Sequence, residues 1–283
     1  MSSLKLDILS HYLLPKKALT AFAGCLANIK IPVIKDYLIQ DFVIRYNVNM
    51  REAQEENPKN YACFNDFFIR RLKTECRPIV NADIVSPVDG CVSEMGDIRT
   101  GKLLQAKGKY YSVHELLACD EAVSAQFSNG CFTTLYLSPK DYHRVHMPLD
   151  GTLKTMTHVP GTLFSVQPKT VQAIPRLFAR NERVVALFDT IIGPMAMVLV
   201  GATVVGGINA TWHGDMQRCR KQQHFDYSSS EDKTIQLKKA DEMGYFKLGS
   251  TVILLFAEGQ RIKWRKGLKA GKTVRFGEEL ASM

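Results

Sequence analysis

After Pro78 the chain sets short apolar runs between glycine and proline punctuation, at residues 131–137, 184–188, 195–205 and 252–257. These runs are rich in Val, Ile, Thr and Phe, the residue types that suit a pleated, buried surface, and they predict strands. The beginning of the chain has a different texture. Residues 4–48 are rich in Leu, Ile, Tyr and Phe, with Lys5, Lys16, Lys17, Lys30, Lys35 and Arg45 interspersed. Over residues 36–46, polar Asp36, Gln40, Asp41 and Arg45 recur at helical spacing between apolar pairs. This pattern predicts short amphipathic helices, broken near Pro15 and Pro32. A further helix is expected over 61–72, with Phe64, Phe67, Phe68 and Leu72 on one side and Arg70, Arg71 and Lys73 closing it. Ser112-Val-His-Glu115 has the spacing of a capping box and predicts a short helix through Leu116, Leu117 and Ala118. The expected architecture is α+β: a β-rich antiparallel sandwich or barrel-like body preceded by N-terminal amphipathic helices. The boundary falls between a helical region at 1–62 and a body at 63–283.

Composition narrows the function classes. The 283 residues carry 37 Lys+Arg against 28 Asp+Glu, a formal net charge of +9. With 46% hydrophobic and 23% charged residues, the chain is neither disordered nor collagen-like nor a disulfide miniprotein. A basic balance suggests an anionic partner: nucleic acid, an acidic lipid surface or a phosphorylated substrate. Cys25, Cys63, Cys76, Cys91, Cys119, Cys131 and Cys219 are odd in number and scattered, with no CxxC pair. They read as small buried hydrophobes in a reducing compartment. Lys5 and Asp7 interrupt the start, so no signal peptide is read there. The longest uncharged stretch near the N-terminus, residues 18–29, is twelve residues long, too short for a transmembrane helix. The amphipathic region therefore packs on the core or lies on a membrane surface.

Four segments bear chemistry-capable residues. Ser86-Pro-Val-Asp89-Gly90 reads by itself as a turn. Asp141-Tyr-His143-Arg-Val-His146-Met-Pro148 places two histidines in one stretch after a strand. As metal ligands they would point to opposite faces of a regular strand and would need a third partner such as His213, so no metal is assigned. Val159-Pro-Gly-Thr-Leu-Phe-Ser165 reads as a turn entering a strand, and Gly249-Ser250-Thr251 opens the apolar strand that follows it. Asp89, His143 or His146, and Ser250 supply the residue types of an acid–base–nucleophile arrangement, in which an imidazole takes the hydroxyl proton and a carboxylate holds the imidazole.

In this order and setting, the four segments resemble the phosphatidylserine decarboxylase family of the prokaryotic type. The resemblance runs from Phe64-Asn-Asp-Phe-Phe-Ile-Arg-Arg71 through Tyr136-Leu-Ser-Pro-Lys-Asp-Tyr-His-Arg-Val-His-Met-Pro148 and Asn181-Glu-Arg-Val-Val185 to Gly244-Tyr-Phe-Lys-Leu-Gly-Ser-Thr251. It covers about three quarters of the chain; the first 60 residues match only in character. The resemblance implies that the chain cuts itself between Gly249 and Ser250. His146, oriented by Asp89, would take the Ser250 hydroxyl proton, and the oxygen would attack the Gly249 carbonyl. β-Elimination and release of ammonia would leave a pyruvoyl group, the cofactor, at residue 250. A large chain 1–249 and a small chain 250–283 would remain associated. The pyruvoyl ketone would form a Schiff base with the amine of phosphatidylserine and accept electrons as carbon dioxide leaves, yielding phosphatidylethanolamine. His143 is the expected proton donor in that reaction, with Tyr142 or water as alternatives.

With neither a transit peptide nor a transmembrane leader read in the sequence, a bacterial protein peripheral on the cytoplasmic face of the inner membrane is expected, and the resemblance makes a homodimer plausible. The run Arg261, Lys263, Arg265, Lys266, Lys269, Lys272 and Arg275, free of anions and including Trp264, would suit an anionic surface or a lipid phosphate. Two other readings stand beside this one. The chain could be a pyruvoyl-dependent decarboxylase of another amino acid or amino lipid, or a non-catalytic membrane-surface relative. Nucleic-acid binding has only the net charge in its favour.

Overall fold

The computed structural model describes residues 16–203, 207–216, 219–228, 234–247, 250–259 and 261–283, with side chains from residue 20 onward. Among the described residues, three α-helices precede the body: α1 (Lys16–Ala27), α2 (Pro32–Tyr46) and α3 (Phe64–Phe68). Pro32 starts α2 at the position where a missing N–H costs nothing, and Asn47 in the left-handed region ends it. The helix expected over 61–72 is shorter. It stops at Phe68, and the carbonyl of the next residue, Ile69, is satisfied by Arg144 Nε at 2.8 Å. The side chains of α2 that face inward, Leu38, Ile39, Phe42 and Val43, pack on Tyr61, Phe64, Phe67 and Phe68 as a small separate core.

The body is built on strands β1 (Gly90–Asp97), β2 (Cys131–Leu137), β3 (Arg144–His146), β4 (Gly151–Val159), β5 (Arg183–Thr190), β6 (Gly193–Gly201), β7 (Gly207–Ala210), β8 (Gln223–Asp226), β9 (Glu242–Lys247), β10 (Ser250–Phe256) and β11 (Thr273–Val274). The large sheet has the order β8-β4-β5-β6-β10-β2-β1-β11, and every neighbouring pair is antiparallel. A smaller sheet places β3, β9 and β7 side by side. The expected β-rich α+β body is therefore present, and its sheets stay open without closing into a barrel. Three of the four apolar runs fall within β2, β5 and β10, apart from Ala257 just past the end of β10. The fourth begins in β6, and its end at residues 204–205 lies outside the described residues.

Strand β10 explains why its run is apolar throughout rather than alternating. Val252, Leu254 and Phe256 enter one core, and Ile253 and Leu255 enter the other, on the opposite face of the sheet. A strand buried on both sides has no polar face to show. By the same alternation, Ser250 shares the face of Val252, the side covered by Val145 of β3 and by Met243 and Phe246 of β9. The capping box at Ser112 forms as expected: its Oγ accepts from Glu115 N–H at 3.0 Å and its own N–H donates to Glu115 Oε2 at 3.3 Å. The short helices at Glu121–Ala125, Pro168–Ala173 and Leu177–Arg180 were not read from the sequence. None is long enough to display an apolar periodicity.

Candidate active site

Ser250 is the first residue of β10 and is fully buried. It pairs with Leu137 of β2 on one side and with Gly201 of β6 on the other. Gly249, its neighbour across the bond expected to be cut, lies outside the described residues. The Ser250 Oγ lies 3.4 Å from Nδ1 of His143. Nε2 of the same ring lies 3.1 Å from the Ser138 carbonyl. A carbonyl only accepts, so Nε2 carries the hydrogen and Nδ1 turns a lone pair to the serine hydroxyl. The distance is longer than a mature hydrogen bond, as is common before a reaction tightens the geometry. Phe68, the last residue of α3, stacks on the His143 ring with centroids 4.1 Å apart. The aromatic helix thus fixes the plane of the imidazole.

His146 occupies a second position. Its Nδ1 lies 2.9 Å from the Ala240 carbonyl and must carry the hydrogen, leaving Nε2 to accept from the Tyr142 hydroxyl at 3.2 Å. The Phe276 ring stacks on it at 3.7 Å. Asp89 does not touch either histidine directly. Its Oδ1 accepts from Arg77 Nε and from Phe276 N–H, both at 2.9 Å, and its Oδ2 accepts from Arg77 Nη2 at 2.5 Å. The structure therefore brings Asp89 to His146 through Phe276, whose backbone the carboxylate holds and whose ring lies on the imidazole. The expected direct line from Asp89 through His146 to Ser250 is not assembled. The imidazole in contact with Ser250 is His143.

The two histidines differ electrically. Burial, seconded by the positive charge of Arg70, drives the His143 pKa down to about 3. Burial also lowers His146, but the carboxylates of Glu242 and Asp89 oppose that shift. Both rings are neutral at pH 7, and His146 is the better placed to hold a proton. Burial raises Tyr142 to about 12, which keeps its hydroxyl protonated as a donor.

Two side chains that support this arrangement have no role assigned from the sequence: Arg77, and Asn181, which opens one of the segments carrying the resemblance. Arg77 joins Asp89 to Glu52, which accepts from its Nη2 at 2.8 Å. Asn181 is fully buried; its Nδ2 donates to the carbonyls of Phe164 at 2.8 Å and Gly201 at 2.9 Å, and its Oδ1 accepts from Phe164 N–H at 3.0 Å. It ties the loop after β4 to the residue opposite Ser250. An arginine before a proline and an asparagine at a helix end give no local signal of these duties. Gly90, which the sequence offers as part of a turn, opens strand β1 and serves as a point of close approach. A side chain there would put a Cβ 2.5 Å from the Tyr136 carbonyl oxygen, so only glycine lets β1 approach β2. His213 meets Tyr227 and Phe225, away from the other two histidines.

Comparison with known proteins places this geometry. The family model described as Phosphatidylserine decarboxylase matches residues 64–282, and one described as PSD matches residues 6–47. A protein of Legionella pneumophila (strain Corby) named Phosphatidylserine decarboxylase proenzyme is 57% identical over 277 residues, covering 98% of this chain and 97% of its own. Proteins of the same name from Acidovorax ebreus and Vibrio cholerae are 49% and 48% identical over 279 and 281 residues, covering 98% of this chain and 97% and 98% of their own. A match of this extent, with a buried serine against a histidine at the family's most specific motifs, settles the assignment: the chain belongs to the phosphatidylserine decarboxylase family.

Proposed function

We propose that this chain decarboxylates phosphatidylserine to phosphatidylethanolamine, using a pyruvoyl group made from Ser250 when the backbone is cut between Gly249 and Ser250. The observation that carries the reading is the fully buried Ser250 hydroxyl facing the lone pair of a neutral imidazole at the start of a core strand. The word proenzyme in the relatives' names supports a chain that matures by cleavage. In the cut, Ser250 Oγ loses its proton and attacks the Gly249 carbonyl, turning the peptide into an ester. Loss of the Cα proton then expels the Gly249 carboxylate with that oxygen, and water releases ammonia from the dehydroalanine that remains. Once formed, the pyruvoyl ketone supplies the electron sink for departure of carbon dioxide. The surroundings fit such a group: position 250 is buried, touches a neutral hydrogen-bonding ring and has no carboxylate as a contact partner among the described residues.

The two histidines divide the proton work. His143 orients the serine hydroxyl, but burial and Arg70 make its protonated form costly. His146 is assigned the proton of the cleavage step, because Glu242 and Asp89 stabilise its charged form. Its Nε2 exchanges the Tyr142 hydroxyl for that of Ser250 to do so. His143, already at position 250, is assigned the relay of the proton that the substrate carbon takes up after carbon dioxide leaves: its Nδ1, which faces position 250 without a hydrogen at rest, takes that proton from solvent during turnover and passes it on. Ser250, His146, Asp89 and His143 are therefore the proposed catalytic set, with Asp89 acting through Phe276.

Access to a lipid follows from the surface. Among the described residues no helix is long and apolar enough to cross a membrane. Yet α2 exposes Val33, Tyr37 and Ile44, and α1 exposes Phe22. Six of the seven cations from Arg261 to Arg275 are also exposed. We assign these two features to docking on an anionic bilayer, peripheral and on the cytoplasmic face. Release of labelled carbon dioxide from carboxyl-labelled phosphatidylserine in vesicles tests the whole reading. The wild type should release it and Ser250→Ala should not. A cleaved wild type that leaves this lipid untouched and decarboxylates another amino lipid would overturn the substrate assignment.

A further inference from the structure

Arg70 follows α3 and is 5% exposed. Its Nη2 donates to the Lys140 carbonyl at 2.9 Å, and its guanidinium carbon lies 5.4 Å from the centroid of the Phe67 ring. Nε and Nη1 are buried with no hydrogen-bond partner among the described residues. A buried guanidinium with unmet donors is costly unless an anion completes it. Arg70 lines a cavity of about 350 Å³ with Arg77, Asp89, Lys140, Tyr142 and Arg275. The carboxylates around that cavity are largely engaged. Glu52 and Asp89 pair with Arg77, and Glu278 pairs with Arg265. Asp141 accepts from the Ser138 N–H and hydroxyl, and burial raises its pKa. Lys140 and Arg275 are exposed at the cavity and form no salt bridge among the described residues.

Position 250 lies two strands from one wall of the cavity. Gly90, on its wall, packs against Leu137, and Leu137 pairs with Ser250. Two strand spacings amount to roughly 10 Å. In a serine phospholipid, four bonds separate the amine nitrogen from phosphorus, roughly 5 Å when extended. A contact from a phosphate oxygen to a guanidinium adds about 3 Å. With the carbon–nitrogen bond to position 250 included, the reach is roughly 9 Å, comparable to the separation of Gly90 from Ser250.

Resting on the reading above, we infer that this cavity seats the phosphodiester of the lipid headgroup, with Arg70 as its floor and Lys140 and Arg275 at its mouth. The headgroup carries a second anion, the carboxylate, and the chemistry decides between them. The carboxylate leaves as neutral carbon dioxide, so a cation gripping it would stabilise the substrate more than the transition state. The phosphate keeps its charge from substrate to product, so the same cation holds it throughout and its loss appears in KM. The planar guanidinium also matches two phosphate oxygens at once.

The test uses the cleaved protein and a short-chain phosphatidylserine in mixed micelles, comparing wild type with Arg70→Met and Arg70→Lys. Arg70→Met should raise KM about 10- to 100-fold with little change in kcat, and Arg70→Lys should recover part of the loss. As inhibitors, glycerophosphoserine should outcompete free serine on the wild type, and Arg70→Met should erase that preference. A KM within twofold of wild type, or a fall in kcat alone, overturns the inference. A preference for glycerophosphoserine that survives in Arg70→Met overturns it too. If Arg70→Met does not mature, Lys140→Gln with Arg275→Gln takes its place. Each change should raise KM about two- to fivefold, and an unchanged KM in the double variant contradicts the assignment. A wild type that releases no carbon dioxide from this lipid would sink the proposed function itself, so the two failures are distinguishable.

Discussion

Strand β10 and helix α2 are about equally rich in large apolar side chains, and the structure uses them in opposite ways. In β10, every residue from Ser250 to Phe256 is buried, with successive side chains filling cores on the two faces of the sheet. In α2, Ile39 is sealed against the aromatic cluster of α3, while Val33, Tyr37 and Ile44 stand 81%, 69% and 80% exposed on the outer side. An apolar run in a central strand is accounted for by packing. An apolar outer helix face has no such account within the chain, and a lipid surface is the partner that also suits the exposed cations near the C-terminus. On the function proposed above, the body holds the reacting residues and the outer faces of α1 and α2 provide access to the lipid.

That division can be broken by substitution. The largest effect belongs to the proton path: His146→Ala should slow self-cleavage about 10²- to 10⁴-fold, whereas Val33→Ser and Ile44→Ser should leave it unchanged, as read by gel or mass. His143→Ala should still be cut and then fail to release carbon dioxide. An uncut His143→Ala beside a normally cut His146→Ala would reverse the two roles. Next comes the core. Leu254→Ala should lower unfolding stability by about 2–5 kcal/mol, and Ile44→Ser should stay within about 0.5 kcal/mol, both by denaturant titration.

Acid should sharpen the contrast further. His143 has a pKa of about 3 folded and an ordinary value near 6.5 unfolded, so the unfolded chain binds the extra proton between these limits. Its contribution to stability is complete above pH 6.5 and is lost as pH falls toward 3, at roughly 1.4 kcal/mol per pH unit. His143→Gln should flatten that slope in pH-dependent unfolding. The cleavage rate should hold its plateau below pH 6.5, since the His146 pKa is lowered from its ordinary value. The smallest effect concerns access. Val33→Ser with Ile44→Ser should weaken sedimentation with anionic vesicles about tenfold while soluble-substrate turnover persists.

The strands were readable because central strands buried on both faces announce themselves as unbroken Val, Ile, Leu and Phe runs, as in β10 and β6. The capping box was readable because its partners lie three residues apart. The candidate residues were legible as chemical types, Asp89, His143, His146 and Ser250, and the structure sets His143 beside Ser250 and joins Asp89 to His146 through Phe276. The wiring of the site was not legible. Which imidazole touches Ser250 depends on the carbonyls of Ser138 and Ala240, which reach the rings through loop geometry. Asp89 reaches His146 through Phe276, 187 positions away in sequence, and Arg77 claims the rest of its carboxylate. Such contacts follow from tertiary placement, which residue spacing does not encode.

The central claim is that Ser250 becomes the reactive group by cutting the chain, and intact mass measurement of the purified protein tests it most directly. The wild type should give a fragment ending at Gly249 and a 34-residue fragment, 250–283, lighter by one ammonia than the same peptide started by serine. Ser250→Ala should remain a single chain. A folded wild type that stays uncut, or a small fragment that still begins with an intact serine, would contradict the account.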